Sequence, residues 1–320
     1  MFNVILLISF VLEYMNPSTY VADLKTLDSS KIEGFLSSFS SVEKSAVLKL
    51  VAAEKEGPGG IYGISANNVL QGIISWELLE WDTHFFKKPM ARISFFLLNT
   101  KALSLDISAK LLSFLLDKAK ENKIVHIDVR VNTDNLFYSW ALQKSGFITV
   151  DIRANFELSL EGRSTNSKDK RGDCAIRFAR GSDLSQLQEI CAESFILSRF
   201  CVDPFFTKEE TEDFHQAWVE NIINDSSNVI LVAEHNSEII GFIACHLNNG
   251  CGVIDLITTK NGFREKGIGT RLISELMDCI KDKADSLKVS TQIYNYAAVN
   301  LYAKSGFNLK KTEISYSKEI

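Results

Sequence analysis

The chain has 320 residues, of which 46% are hydrophobic and 23% are charged, and its formal net charge is −5. This composition is typical of a globular protein with room for two domains, each with its own core. The small negative charge excludes a sequence-wide basic surface of the kind that binds nucleic acid by counterion release.

An apolar segment opens the chain at Met1–Leu12, but no Lys or Arg precedes it. Glu13 and then Asn16 and Pro17 follow it, where a signal peptide would have small residues and a cleavage site. The segment is also too short to cross a bilayer. We expect a buried strand or helix here, or an extended translation start ahead of Met15, and no membrane partner.

The spacing of the cysteines indicates whether a metal site is expected and whether the protein belongs to a reducing cellular compartment. All cysteines lie in the second half and none forms C-x-x-C, so we expect no metal site, small buried side chains and a reducing, cytoplasmic compartment. The residues are Cys174, Cys191, Cys201, Cys245, Cys251 and Cys279.

Apolar residues at helical spacing predict a helical region over residues 18–55 of the first half. Later in this half, the pattern predicts strands across residues 61–76, a strand at Ala91–Leu98, a helix at Ile107–Asn122 and a strand at Ile124–Val131. Residues 162–173 are polar, charged and without periodicity, which indicates a linker.

The second half has its own predicted elements. They are a strand at Ala175–Ala179, a helix from Ser182 to Glu193 with Ser182 as N-cap, a helix at Glu212–Ile223, a hairpin of strands Val229–Glu234 and Ile239–Leu247, and a strand at Val253–Ile257.

After this last strand, Gly262–Leu272 reads as a phosphate-binding loop that leads into a helix. Glycines at a helix start leave the first backbone N–H groups unshielded, so a pyrophosphate can reach them, and Arg264 and Lys266 add positive charge. The pattern R-x-x-G-x-G is weak by itself, because an ordinary turn into a helix can have it. One apolar stripe supports the helix: Ile268, Leu272, Ile273, Leu276, Met277 and Ile280.

A second motif, N-x-x-A-x-x-L-Y-x-K-x-G-F, runs from Asn295 to Phe307. Together the two motifs resemble the acetyl-CoA-binding motifs of the GNAT (Gcn5-related) N-acyltransferase superfamily. The resemblance implies that acyl-CoA is the co-substrate, that Asn295 contacts its pantetheine arm and that Tyr302 is the general acid. It also implies that backbone near Leu256, Ile257 and Thr258 holds the oxyanion, and that the pyrophosphate binds Arg264, Glu265, Lys266, Gly267, Ile268, Gly269 and Thr270. A core aromatic remains the alternative for Tyr302.

The first half carries a related motif, from Asn135 to Phe147, which indicates a repeat. It has no phosphate loop, because no glycine occurs between Gly72 and Gly146, and Leu142 stands where Tyr302 stands later. The resemblance therefore implies an α/β (α+β) protein with two GNAT-like domains, each a mixed, mostly antiparallel sheet flanked by helices. The expected division is a degenerate domain at residues 1–161, the linker at 162–173 and a catalytic domain at 174–320.

Four further segments resemble the dTDP-fucosamine acetyltransferases over roughly residues 76–320. This resemblance implies a dTDP-linked amino-dideoxy sugar as the acceptor, for surface polysaccharide such as O-antigen or capsule, with an acetyl or short hydroxyacyl donor. Compared with that pattern, this chain has extra N-terminal residues and a fuller phosphate loop, so the identity of the amino sugar and of the acyl group stays open. Whether the protein forms a homodimer also stays open. The segments are Trp81–Phe86, Ser194–Phe200, Trp218–Asn221 and Thr291–Gln292.

Two roles stay open at the level of sequence. Asp255 and His246 are candidates for a general base or an acceptor contact, but strand alternation does not fix their faces, and each has a structural alternative. Arg199 and Phe200 are expected to bind the nucleotide's pyrophosphate and its base or sugar, or else are a surface arginine and a core phenylalanine. Peptide N-acetyltransferase and non-catalytic acyl-CoA sensor are the competing functions.

Overall fold

The computed structural model describes residues 19–52, 59–99, 103–162, 174–192 and 198–320. The expectations for Met1–Leu12, for residues 163–173 of the linker and for Ser194–Leu197 lie outside the described residues. Among the described helices, none is long and apolar enough to cross a membrane. The chain forms two compact units: unit 1 contains Met1–Val131, Asn135–Thr149 and Tyr316–Ile320, and unit 2 contains Asn132–Asp134 and Val150–Ser315.

Unit 1 is a mixed sheet with helices, in strand order β1-β2-β3-β4-β5-β12. Its strands are β1 (Tyr20–Asp23), β2 (Gly59–Ala66), β3 (Val69–Leu78), β4 (Met90–Leu98), β5 (His126–Asn132) and the end of β12 (Asn308–Glu319), and its helices are α1 (Ser29–Leu36), α2 (Ser41–Ala52), α3 (Glu80–Phe86), α4 (Leu105–Glu121) and α5 (Leu136–Lys144).

Unit 2 contains strands of mixed direction in the order β12-β6-β11-β10-β9-β8-β7. Its further strands are β6 (Ile148–Ser159), β7 (Ala175–Phe178), β8 (Val229–His235), β9 (Glu238–Asn248), β10 (Cys251–Thr259) and β11 (Ser286–Gln292), and its helices are α6 (Leu184–Ala192), α7 (Arg199–Val202), α8 (Lys208–Asn224), α9 (Ile268–Ile280) and α10 (Tyr296–Lys304). The predicted fold class is confirmed.

Three predicted helix starts are wrong. The region predicted as helical from residue 18 begins with strand β1, and Asp23 then accepts the N–H of Lys25 in a short 3-10 turn. Ser182 does not cap α6, because the Asp183 carboxylate instead accepts the N–H of Arg180 at 2.8 Å ahead of the helix. Helix α8 begins four residues before Glu212, where a capping box at Thr207 fixes its start.

Helices cover the two faces of the unit 2 sheet differently. Helix α9 packs on one face, where its apolar stripe meets Ile254 of β10 and Leu287 of β11. Helices α6 and α8 pack on the opposite face, against β8, β9 and Leu256 of β10. We call this second face of the sheet the acceptor face.

Strand β6 belongs to the first half of the sequence but completes the sheet of unit 2. It pairs with β11 in antiparallel register from Ser286–Ser159 to Gln292–Arg153. Its side chains Ala154, Phe156 and Leu158 are at most 5% exposed and belong to the core under α9. In the other direction, the N–H of Ile320 donates to Val125 O at 3.0 Å within unit 1. Neither half of the sequence therefore contains all strands of one unit.

This exchange predicts the behaviour of fragments. Residues 174–320 alone should unfold at a much lower temperature than residues 148–320. Without β6, strand β11 loses its antiparallel neighbour, and the core loses the side chains of Phe156 and Leu158, whose burial contributes about 1.5–3 kcal/mol each. Thermal unfolding followed by circular dichroism, with the soluble yield, checks this. Equal melting temperatures for the two fragments would contradict it.

Candidate active site

The parallel strands β10 and β11 separate partway along their length. They pair only from Cys251–Ser286 to Ile254–Val289. Beyond this point β10 stays paired with β9, and β11 stays paired with β6, so the two strands face each other without a ladder. Backbone groups of Leu256–Thr258 are thereby left able to pair with an extended ligand.

A β-bulge in β10 stands where the strands begin to separate. Ile254 lies opposite Cys245 and Leu256 opposite Ala244, so Asp255 is an extra residue. Its carboxylate lies 2.7 Å from Nδ1 of His246 on β9. The structure therefore brings together the two residues that the sequence singled out separately.

The chemistry of this pair suits proton transfer. Burial raises the pKa of Asp255, and the hydrogen bond from His246 opposes the rise. Nδ1 of His246 donates to the carboxylate, which leaves Nε2 as the nitrogen that can accept a proton. The His246 and Asp255 side chains are 38% and 22% exposed, so a substrate can reach them.

The loop between β10 and α9 has the geometry of an anion site. Gly262, Glu265 and Gly267 have positive φ values of 85°, 62° and 78°, which fold the loop over the helix start. Gly267 is the N-cap, and as a glycine it has no side chain with which to cap the helix. The first N–H groups of α9 therefore lack partners within the helix and carry the positive end of its dipole.

The predicted loop residues surround this helix start. Arg264 and Lys266 are exposed; Arg264 Nε donates to Thr259 O at 3.3 Å, and Lys266 Nζ lies 4.8 Å from the Phe263 ring centre. A Cβ at Gly269 would lie 3.0 Å from Leu301, so this glycine lets α9 approach α10. Of the others, Glu265 and Thr270 are exposed and Ile268 is buried.

Helix α10 carries the other predicted motif. The Asn295 side chain accepts the N–H of Ala298 at 3.2 Å and so caps the helix. Tyr302 is 3% exposed, and its ring packs at 5.6 Å from Phe156 and 5.7 Å from Phe307. Burial raises its pKa, so the phenol keeps its proton at neutral pH. The environment suits both a core aromatic and a proton donor.

Unit 1 has the same strand separation, but a side chain occupies it. Strands β4 and β5 pair in parallel only up to Ile93–Val129. Beyond this, the N–H of Leu98 on β4 donates to the Tyr138 hydroxyl at 2.9 Å, and the Tyr138 ring is 7% exposed. Tyr138 stands at the motif position of Ala298, whose side chain is too small to do this. A backbone donor of β4 beyond the point of separation is thus already bonded to a side chain of unit 1.

The bulge pair of unit 1 differs in chemistry as well. Ser94 is the extra residue of β4, and its hydroxyl donates to Glu77 on β3 at 2.9 Å. This contact has the position of the contact between Asp255 and His246. A serine and a glutamate lack the imidazole whose second ring nitrogen could accept a proton from an amine.

Arg199 and Phe200 lie on α7, beside a cavity between α6, α7 and α8. The cavity measures about 550 Å³, and Phe200, 8% exposed, lines it with Gln188, Cys191, Phe206, Thr211 and His215. The Arg199 guanidinium lies 4.3 Å from the centre of the Phe200 ring. Both sequence readings of Phe200, core residue and ligand contact, are compatible with this position.

We expect the folding stability of the protein to depend on pH because of the buried His215. It is 7% exposed, and burial lowers its pKa to about 4. The unfolded chain therefore binds more protons between pH 4 and about 6.5, so stability falls as pH falls through this window, by up to about 3 kcal/mol. Urea unfolding at pH 7 and pH 4.5 should show this loss, and His215→Gln should reduce it. The exposed His84→Gln is the control, and an undiminished loss in His215→Gln would contradict the assignment.

Sequence reasoning missed two residues on the same sheet. They are Tyr294, which directly precedes Asn295 of the second motif, and Asp151 of β6. The Tyr294 hydroxyl donates to Asp151 at 3.4 Å. No signal in the sequence points to Asp151, because only the strand exchange brings it beside β11.

Part of the chain matches a known protein family. Residues 189–307 match the acetyltransferase (GNAT) family. The spore coat polysaccharide biosynthesis protein SpsD of Bacillus subtilis is 29% identical over 135 residues, which are 42% of this chain and 47% of that protein. A dTDP-fucosamine acetyltransferase of Escherichia coli is 24% identical over 176 residues, 54% of this chain and 72% of that protein. The chain thus spans about half the length of SpsD.

Solved structures extend the fold likeness to both units. A GCN5-related N-acetyltransferase from Sphaerobacter thermophilus has a TM-score of 0.63 at 13% identity, covering 94% of this chain and 96% of that one. A tandem GNAT protein from the clavulanic acid biosynthesis pathway has a TM-score of 0.54 at 11% identity, covering 94% and 98%. At these identities the likeness concerns the fold, and it confirms two GNAT-like domains.

Proposed function

Because the chain carries a domain of the GNAT family, we propose that it is an acyl-CoA-dependent N-acyltransferase whose acceptor is a dTDP-linked amino-dideoxy sugar. The observation that carries this proposal is the pairing of His246 with Asp255 at the bulge where β10 leaves β11. A proton acceptor thus stands at the start of the opening that a thioester would enter. The first unit has the opening but not the acceptor.

The donor would bind along β10 and the loop that follows it. Residues Arg264–Thr270 hold the pyrophosphate by backbone N–H groups, the helix dipole and the charges of Arg264 and Lys266. Backbone at Leu256–Thr258 pairs with the pantetheine arm and holds the oxyanion. Asn295, as the cap of α10, fixes the other wall of the opening. Acetyl or a short hydroxyacyl is the group transferred.

The proposed reaction is one direct transfer. The acceptor nitrogen attacks the thioester carbonyl, forming a C–N bond, and the C–S bond then breaks. The proton of the amine passes to Nε2 of His246, which Asp255 orients, and the Tyr302 hydroxyl gives a proton to the departing sulfur. Hydroxyl groups beside a sugar amine lower its pKa, so a moderate base is sufficient.

The acceptor assignment rests on two supports. One relative is named as a dTDP-fucosamine acetyltransferase, and the other, SpsD, is named as a spore coat polysaccharide biosynthesis protein. Phe200 lines the cavity as an aromatic wall, and the Arg199 guanidinium lies against the ring of Phe200; an aromatic ring and a guanidinium suit a nucleotide diphosphate. We place the reaction in the cytoplasm, for surface polysaccharide.

A substrate screen tests the proposal. Full-length protein is mixed with acetyl-CoA or a hydroxyacyl-CoA and with dTDP-amino sugars, UDP-amino sugars or basic peptides, and released thiol is measured. We expect turnover with a dTDP-amino sugar. Turnover with peptides alone would favour a peptide N-acetyltransferase, and CoA binding without thiol release for any amine would favour a sensor.

A further inference from the structure

We propose that Tyr294, oriented by the buried carboxylate of Asp151, forms a subsite for the sugar ring of the acceptor. This inference rests on the proposed function and adds a recognition site to it. The subsite offers an aromatic ring face and a hydroxyl oxygen, and the matching ligand is a hydroxyl-bearing pyranose. Strand β6, which comes from the first half of the sequence, supplies Asp151.

Residue alternation places this pair on the acceptor face. In β11, Leu287 and Val289 belong to the core under α9, so Ser290 and Gln292 lie on the opposite side. In β6, Ala154, Phe156 and Leu158 belong to that core, so Asp151, Arg153 and Asn155 lie opposite as well. His246 also lies on this face, because its neighbour Cys245 belongs to the core under α9 while Ala244 packs against α6 and α8.

Position along the strand brings Tyr294 to the opening. The backbone N–H of Ile293 donates to Ile152 O at 2.8 Å, which extends the pairing of β11 with β6 to this residue. Tyr294 follows at once, just before the cap of α10. Leu256–Thr258 of β10 lie across the opening from this end of β11. We propose above that their backbone contacts the oxyanion and the pantetheine arm. An acceptor amine that attacks a thioester bound there would bring its sugar ring close to Tyr294.

Burial differs sharply within the pair. Asp151 is 4% exposed, whereas Tyr294 is 36% exposed. Burial raises the pKa of Asp151, and burial together with the nearby carboxylate raises the pKa of Tyr294 to about 12. The phenol therefore stays protonated and directs its proton to Asp151. Its oxygen lone pairs remain to accept a hydrogen bond from a sugar hydroxyl.

Neighbouring contacts continue this polar surface. The Ser290 hydroxyl donates to Asn155 at 2.8 Å, and the Asn155 amide donates to Glu313 on β12 at 2.9 Å. The thiol of Cys201 on α7 acts electrostatically on Tyr294, which puts the α7 segment beside the subsite. Polar groups on the same face as an exposed aromatic ring are suited to a ligand with several hydroxyls and apolar C–H faces.

The test compares Tyr294→Phe, Asp151→Leu, which removes the acceptor oxygens at a similar side-chain size, and the double variant. With a dTDP-linked amino-dideoxyhexose, each single variant should raise KM about tenfold, the loss of one hydrogen bond, while kcat and the Kd of CoA change little. The double variant should be no worse than either single one, because both break the same unit. Tyr296→Phe is the matched control, since Tyr296 lies two residues further on and is 73% exposed.

Two outcomes would overturn the inference. One is an unchanged KM in Tyr294→Phe while the wild type turns over the sugar; the proposed function then stands without this subsite. The other is additive effects of the two changes. If the wild type acylates no amine, the proposed function fails, and the equilibrium Kd of the same nucleotide sugar for wild type and Tyr294→Phe still decides the subsite. Should Asp151→Leu fail to fold, Tyr294→Phe carries the test.

Discussion

Replacing Gly267 with Glu should abolish CoA binding, lowering affinity at least about 100-fold. The residue caps α9 with a φ of 78°, and no atom lies within 4 Å of the position of a Cβ. The new side chain would therefore project into the space where the pyrophosphate must meet the helix N-terminus, and its charge would repel the phosphates. Calorimetric titration of CoA into wild type should give one site per chain.

A second glycine separates this effect from backbone strain. Gly162 has a φ of 67° and equally open surroundings, but it lies away from the loop. A side chain at either position costs about 1–2 kcal/mol of strain. Gly162→Glu should thus lose similar stability and keep CoA binding. Two sites per wild-type chain, or undiminished binding by Gly267→Glu, would show that the phosphate site is elsewhere.

Removing the hydroxyl of Tyr302 should lower turnover about 100-fold, as is typical for the loss of a general acid. Tyr302→Phe keeps the ring between Phe156 and Phe307, so folding should change little. The Kd of CoA should also stay nearly constant. Turnover number and Kd, measured on the same preparation, check the prediction.

Tyr316→Phe is the control for Tyr302→Phe. Tyr316 is 1% exposed and belongs to unit 1, so the change again removes one buried hydroxyl. It should leave turnover unchanged. If Tyr302→Phe retains full turnover, water protonates the thiolate and Tyr302 serves packing. If turnover and CoA affinity fall together, Tyr302 has a binding role instead.

Local patterns were sufficient for the helix and loop that carry the proposed CoA site. The apolar stripe of α9 lies at a spacing that only a helix can bury on one side, and each of its members from Ile268 to Ile280 is buried or nearly so. The glycines at positions 262 and 267 adopt the left-handed conformation that a turn into a helix needs. These features depend on residues close in sequence.

Contacts between residues far apart in the chain could not be predicted from the sequence. Alternating apolar residues in β6 indicate a half-buried strand but not its partner, so the pairing of Phe156 with Val289 on β11 could not be foreseen. The bulge at Asp255 is a register shift of one residue. It puts Asp255 and the following Leu256 on the same face of the sheet, which regular alternation would not predict.

The degenerate first half shows the same limit. Its missing glycines predicted the loss of a phosphate loop, and Leu142 in place of a tyrosine predicted the loss of a proton donor. The sequence did not indicate that Tyr138 bonds the N–H of Leu98 in the strand opening. Replacement of a small residue by a buried tyrosine supports our proposal that acyl-CoA binds only to unit 2.

The most direct measurement is mass spectrometry of the products formed by the full chain from acetyl-CoA and a dTDP-linked amino-dideoxyhexose. We expect free CoA and, in equal amount, a nucleotide sugar heavier by one acetyl group, with fragmentation placing that group on the sugar nitrogen. Asp255→Asn together with His246→Gln should slow its formation. No acylated sugar, or acetyl on a hydroxyl oxygen at the same rate in that variant, would contradict the account.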